Sequence, residues 1–95
     1  MARPTQLDIM GTTFRIVQVK KIDKDDSMGE CEPLQRTIKI KAGLNDEMFE
    51  STLLHEVIHA ILTITGQAEY LKHEQEEAIV LALEHGLGPL YGRFH

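Results

Sequence analysis

The chain has 95 residues and one cysteine, and its 15 acidic and 10 basic residues give it a net charge of −5. So short a chain removes only about 60 to 65% of its surface from water on folding, which predicts a single domain over residues 1–95. The acidic balance argues against a nucleic-acid-binding surface, and a lone cysteine excludes an internal disulfide bond.

The sequence shows neither a secretory signal nor a membrane span. Residues 1–10 lack the charged start and the apolar run of a signal peptide, and no segment approaches about 18 uninterrupted apolar residues. We therefore expect a cytoplasmic protein that does not enter a membrane.

The N-terminal half has the pattern of a small antiparallel sheet. Residues 7–10 and 13–22 are predicted to form a hairpin around a turn at Gly11, because β-branched and aromatic residues flank that turn. The polar run 23–32 is predicted to be a loop. A further strand is expected over residues 34–41. Four of its side chains would share one face: Leu34, Arg36, Ile38 and Ile40.

The C-terminal half has the apolar periodicity of two long helices. The first is predicted to begin at an Asn45 or Asp46 cap, to run to about Thr65 and to stop at Gly66. The second is predicted over residues 71–85. It should end at Gly86, and Gly88 and Pro89 should prevent its continuation. The expected fold is therefore α+β, with a small antiparallel sheet packed on two long helices.

The first predicted helix contains His55-Glu56-Val57-Ile58-His59, an HExxH motif. Residues four apart share a helical face with Cβ atoms about 5–6 Å apart, so both imidazoles can bind one ion. Imidazole ligands leave zinc net positive, which lowers the pKa of a bound water to about 7. Glu56 is then predicted to accept the proton of that water as general base.

A catalytic zinc usually has three protein ligands, so a third ligand is expected outside the motif. It does not follow the metzincin pattern, because Leu62 and Thr65 occupy the positions of that pattern's glycine and third histidine. An antiparallel second helix would bring several candidates near the motif. Glu77 is the preferred one, since Ala78 and Leu81 beside it can pack while its carboxylate faces the metal. The alternatives are Glu76 first, then His73, Glu74, Glu84 and His85.

The residues around the motif resemble a known family. Residues 52–60, followed by Glu76-Glu77-Ala78-Ile79-Val80-Leu81-Ala82, look like the gluzincin metallopeptidases, particularly the small bacterial and phage proteins similar to ImmA/IrrE peptidases. The resemblance covers about the C-terminal half. It implies zinc ligation by both histidines and by a glutamate that precedes an alanine, which favours Glu77. It also implies that an edge strand, expected at residues 34–41, binds substrate in extended form.

Larger gluzincins also have a downstream tyrosine or histidine that stabilises the oxyanion, and no motif identifies its counterpart in this chain. The candidates are Tyr70, His73, His85 and Tyr91. A second subdomain, which forms the other wall of the cleft in larger relatives, does not fit in 95 residues.

These observations predict a zinc-dependent peptidase that acts on a peptide or protein substrate. The alternative is a zinc-stabilised interaction module, such as a phage accessory protein, that binds a partner without cleaving it. Glu56 favours the enzyme, because a binding module has no physical need for a general base there.

A purely structural zinc site is disfavoured because such sites use mostly cysteine and histidine. Cys31 could cap the zinc as an inhibitory ligand, although a small buried or loop residue is the simpler interpretation. The pattern indicates no oligomeric state.

Overall fold

The structure is a computed structural model that describes residues 3–22 and 27–93, with side chains to residue 90. Within these ranges the chain forms four strands and two long helices. In chain order they are β1 (Gln6–Ile9), β2 (Thr12–Val19), β3 (Gly29–Glu32), β4 (Thr37–Lys41), α1 (Asp46–Ile64) and α2 (His73–Arg93). The α+β class predicted from the sequence is confirmed.

The predicted N-terminal hairpin is present, with its turn one residue earlier than expected. Ile9 pairs with Thr12, which leaves Met10 and Gly11 as a two-residue loop. Both have positive φ, at 52° and 83°, as the tight turns that match strand twist require. The Asp8 carboxylate accepts a hydrogen bond of 2.7 Å from the Gly11 amide and closes this turn.

The sheet is mixed and not antiparallel throughout as predicted, with the strand order β1-β2-β4-β3. β1 pairs antiparallel with β2, and β3 pairs antiparallel with β4, but β2 and β4 are parallel. The parallel pair forms because the chain first crosses to the far edge as β3 and only then returns as β4. The pattern of side chains did not indicate this order, since strand direction is a property of the connection.

β3 lies in the segment that was predicted to be a loop. Residues 23–26 of that segment lie outside the described residues, but Gly29–Glu32 is a strand paired with β4 in the register Cys31 to Ile38. Because its residues are mostly polar, the sequence of this segment shows no strand pattern. The strand forms because β4 satisfies its backbone hydrogen bonds, and because Gly29 allows it to approach α1 closely.

The strand predicted over residues 34–41 begins only at Thr37. Pro33–Gln35 form a 3₁₀ turn, and Arg36 adopts a left-handed conformation with φ of 50°. Leu34 is consequently fully exposed, whereas Ile38 and Ile40, predicted to share its face, are completely buried. Pairing with β2 sets the start of this strand. The Arg15 amide of β2 donates a hydrogen bond of 2.8 Å to the Arg36 carbonyl, directly before the first paired residue, Thr37.

α1 has the limits that its end signals predict. The Asn45 side chain accepts a hydrogen bond of 2.8 Å from the Met48 amide, and Gly66 turns the chain away with φ of 81°. The apolar residues of α1 are only partly buried, since Leu53 and Ala60 are in the core but Ile61 and Ile64 are more than one-third exposed.

α2 extends past the glycines and the proline that were expected to end it, so the predicted end at His85 is wrong. A glycine stops a helix when it adopts the left-handed conformation. Gly86 is not among the residues with positive φ, and Pro89 lies inside the helix. Glycine and proline lower helix propensity, but neither supplies a stop signal without the matching backbone geometry.

The core lies between the sheet and α1. Its buried members are Ile9, Phe14, Ile16, Ile38, Ile40, Phe49, Leu53 and Ala60. α2 packs on α1 and adds the fully buried Val80. α1 therefore contacts the sheet along one side and α2 along another. Among the described residues, no helix has the length and apolar character needed to cross a membrane.

The close approach of β3 to α1 predicts opposite effects for two glycine substitutions. A Cβ atom at Gly29 would lie 2.6 Å from Thr52 Cγ2 and 3.2 Å from Glu56 Cγ. Gly29→Ala should therefore lower the free energy of unfolding by about 1–3 kcal/mol. Gly86→Ala, where the described residues leave open space, should raise it by about 0.5–1 kcal/mol. Urea denaturation measures both, and equal changes would contradict the close packing of β3.

Candidate metal centre

α1 presents the two histidines of the HExxH motif to α2. The rings of His55 and His59 lie one helical turn apart, with centroids separated by 5.0 Å. His55 contacts Glu84, late in α2, whereas His59 contacts Glu76, early in α2. The two helices are therefore antiparallel, as the third-ligand prediction required.

Glu77 lies between both imidazoles. Its Oε1 is 2.8 Å from His59 Nε2, and its Oε2 is 3.6 Å from His55 Nε2. One ligand atom from each of the three residues lies within 4.8 Å of the others. The structure thus brings together the three residues that the sequence predicted as ligands, and this group could hold a metal ion.

The chemistry of this donor set fits a transition-metal ion. Two imidazole nitrogens and one carboxylate oxygen are the ligands of one major class of catalytic zinc sites, although other divalent ions also accept them. The Glu77 carboxylate is one-third exposed, whereas the His59 side chain is 15% exposed. The group therefore opens toward solvent on the Glu77 side.

The remaining third-ligand candidates have other positions. Glu76 Oε2 lies 2.5 Å from His59 Nδ1, and Glu84 Oε2 lies 3.4 Å from His55 Nδ1. Both therefore contact the ring nitrogens that do not face Glu77. The side chains of Glu74 and His85 are exposed. The contacts of Glu76 and Glu84 with the histidines were not predicted, although the spacing of the two residues around Val80, at i, i+4 and i+8, places all three on one helical face.

Glu56 is buried, with 7% of its surface exposed. It lies where β3 crosses α1, because a Cβ at Gly29 would contact its side chain. It also lines the same cleft as His55, His59 and Glu77, whose volume is about 810 Å³. β3 covers Glu56, which the helical spacing of the motif does not indicate, because it depends on the position of an edge strand.

The strand next to this cleft is β3. β4 pairs with β2 on one side and with β3 on the other, so the expectation that residues 34–41 form an edge strand is wrong. In the described part of the chain, β3 pairs on one side only, and Gly29, Glu30 and Cys31 line the cleft. The edge strand comes from the segment predicted to be a loop.

Cys31 lines the cleft but is not a member of the metal-holding group found among the described residues. Burial, together with the negative charges of Glu56, Glu32 and Glu76, raises the pKa of its thiol from 9.0 to about 12. In the metal-free protein the side chain is therefore a neutral thiol at physiological pH.

The structure separates the four oxyanion candidates. His73 lines the cleft, whereas Tyr70 is 83% exposed and lies outside it. His85 is exposed, and the side chain of Tyr91 lies outside the described residues. Of these four, His73 is thus the one that the described structure places in the wall of the cleft, where it is exposed.

Comparison with protein-family models, with curated proteins and with solved structures found no match for this chain. The function is therefore inferred from the residues of the site and from their geometry.

The convergence of three side chains predicts a metal stoichiometry that depends on each of them. His55→Ala and His59→Ala should each abolish binding of one zinc per chain and lower the melting temperature of the zinc-loaded protein. Glu77→Ala should weaken zinc binding far more than Glu74→Ala, which removes the same charge from an exposed position. Metal analysis after dialysis measures the occupancy. Full occupancy in either histidine variant would exclude this site.

The raised pKa of Cys31 predicts slow alkylation. Because the thiolate is the nucleophile, iodoacetamide should modify the native, metal-free protein at neutral pH much more slowly than the urea-unfolded chain. The neutral thiol favours the folded state, so its contribution to stability is complete below pH 9.0 and is lost as the pH rises toward 12. Mass spectrometry follows the modification, and equal rates in the two states would contradict the burial of Cys31.

Proposed function

We propose that this protein is a zinc-dependent peptidase in which His55, His59 and Glu77 hold the metal and Glu56 is the general base. The observation that carries the proposal is that three metal-binding side chains converge in one cleft that Glu56 also lines. A site that only holds a metal for stability does not need a carboxylate in that position.

The proposal assigns distinct roles to the metal, to Glu56 and to His73. When bound, the zinc ion supplies Lewis-acid chemistry, polarising the scissile carbonyl and lowering the pKa of water. Glu56 accepts the proton of the attacking water and later delivers it to the leaving amine. Its burial beneath β3 keeps that carboxylate in one place, which general-base catalysis requires. His73 is the candidate to stabilise the oxyanion, since it lines the same cleft.

The substrate in this proposal is an extended peptide that lies along β3. An edge strand offers backbone groups for main-chain hydrogen bonding, so an extended segment can add to the sheet. Gly29 and Cys31 of this strand and the histidines of α1 line one cleft, so a peptide bound there would pass the metal-holding group. This arrangement corresponds to the one that the gluzincin resemblance implies, with β3 in the place of the strand expected at residues 34–41.

The proposal includes membership of a minimal gluzincin group similar to the ImmA/IrrE peptidases. Support comes from the HExxH helix, from a third carboxylate on the following helix and from the Glu77-Ala78 pair. We expect weak and narrow activity, because so small a chain has little surface with which to hold an unfolded general substrate such as casein.

The role of Glu56 predicts that Glu56→Gln abolishes peptide cleavage without loss of the metal. The amide is nearly isosteric, so the fold and the zinc content should stay close to those of the wild type, while the proton acceptor is lost. General acid–base catalysis contributes typically about 10²–10⁴-fold, so turnover should fall by at least that factor. The measurement is cleavage of an extended peptide library at matched zinc content.

Glu50→Gln is the control for this experiment, since it removes one charge from the same helix outside the residues that line the cleft. It should retain the wild-type turnover. Equal turnover by wild type and Glu56→Gln would assign the cleavage to a contaminant. No turnover by either protein, with zinc fully bound, would favour the zinc-stabilised interaction module instead.

A further inference from the structure

Each imidazole of the candidate metal centre contacts a different carboxylate at each of its two ring nitrogens. Both Nε2 atoms face Glu77. His59 Nδ1 contacts Glu76, and His55 Nδ1 contacts Glu84. A neutral imidazole has one protonated nitrogen, which donates, and one bare nitrogen, which can accept or bind a metal. The carboxylate at Nδ1 therefore influences which nitrogen remains for the metal.

We propose that Glu76 and Glu84 are positioning residues that hold His59 and His55 with the proton on Nδ1, leaving each Nε2 bare for the metal ion that Glu77 also binds. The inference rests on the proposed metal site and adds two residues to it. A carboxylate that accepts from Nδ1–H fixes both the tautomer and the orientation of the ring, and it raises the basicity of the opposite nitrogen.

Burial distinguishes these two carboxylates from ordinary surface partners. The side chains of Glu84 and Glu76 are 14% and 20% exposed, compared with 34% for Glu77. They flank Val80, which is fully buried, at i−4 and i+4 on α2. The packing of Val80 thus sets the positions from which both carboxylates reach their histidines, one toward each end of the pair.

Glu84 has a second contact that restricts it further. The Ser51 hydroxyl donates a hydrogen bond of 2.8 Å to Glu84 Oε1, while Oε2 faces His55. Ser51 lies one turn before His55 on α1, so the contact returns to the helix that carries the histidine. Both oxygens of Glu84 are therefore engaged, and its position follows that of α1.

Zinc affinity provides the first test, in the full-length chain and without any substrate. Glu76→Gln and Glu84→Gln should each lower the affinity by about 10- to 100-fold, as is typical for outer-shell partners of metal-binding histidines. Glu74→Gln removes the same charge from an exposed position of the same helix and should have no comparable effect. Competition with a chromophoric chelator measures the affinity. Equal affinities in all three variants would overturn the proposal.

The tautomers of the two histidines provide a second test, because they would not change if Glu76 and Glu84 had only a structural role. Long-range ¹H–¹⁵N correlation spectra of the metal-free protein at alkaline pH identify the protonated nitrogen of each ring. Because Glu77 faces both Nε2 atoms and would compete for the ring proton in the metal-free protein, the comparison is made in a Glu77→Ala background, in which His55 and His59 should carry the proton on Nδ1. In that background, adding Glu76→Gln should shift the tautomer of His59 alone toward Nε2–H, and adding Glu84→Gln that of His55 alone. Nε2–H tautomers in Glu77→Ala, or no shift on adding either substitution, would overturn the inference.

These measurements separate the inference from the proposed function. Neither requires peptide cleavage, so an inactive protein with bound zinc would still test both carboxylates. If wild type bound no zinc, the proposed function would fail, while the tautomers of the metal-free protein would still be measured. If Glu76→Gln does not fold, as judged by circular dichroism, Glu84→Gln and Ser51→Ala test the other histidine. Ser51→Ala should lower zinc affinity less than Glu84→Gln, because it leaves the carboxylate in place.

Discussion

The register of α2 against α1 is the constraint on which the site depends. Val80 is completely buried where the two helices meet, with Glu76 and Glu84 one turn to either side. Successive helical residues differ by about 100° in direction, so a shift of one residue would turn the carboxylate of Glu77 away from both histidines. Packing of an apolar side chain thus determines where the polar ones meet.

A second contact, between β3 and α1, gives the cleft its shape. Gly29 lets the strand approach Thr52 and Glu56 more closely than any side chain would allow. This approach buries Glu56 and leaves β3 along the cleft. The proposed general base and the proposed peptide-binding edge therefore depend on one close contact, and the metal-holding group depends on another.

Electrostatics connects these contacts with the proposed metal. Of the six glutamates that line the cleft, those at positions 76, 77 and 84 contact the two imidazoles of the motif, and Glu56 is buried. Bringing several carboxylates together in a partly buried region is unfavourable unless cations or hydrogen bonds compensate. A divalent ion held by His55, His59 and Glu77 would reduce that repulsion, so in this proposal metal binding also stabilises the packing of α2 on α1.

The sequence by itself determined the features that depend on neighbouring residues. The HExxH face, the Asn45 cap, the Gly66 stop and the N-terminal hairpin all follow from spacing and local backbone preference, and each is present in the fold. The choice of Glu77 over Glu76 also followed from the sequence and the family resemblance. In the structure Glu77 lies with both histidines and Glu76 contacts the far side of one ring, so the group of His55, His59 and Glu77 could hold a metal ion.

The tertiary structure alone decided which strand lies beside the cleft, how far α2 extends and which carboxylates contact the outer nitrogens of the histidines. β3 is short and polar, so its formation depends on hydrogen bonds from β4 and on its contact with α1 rather than on its own residues. In the sequence, Glu76 and Glu84 resemble the solvated residues of an acidic run. In the fold, the packing of Val80 brings both carboxylates to the histidines. These features come from pairings between residues distant in the chain, and no local periodicity encodes which partner a residue meets.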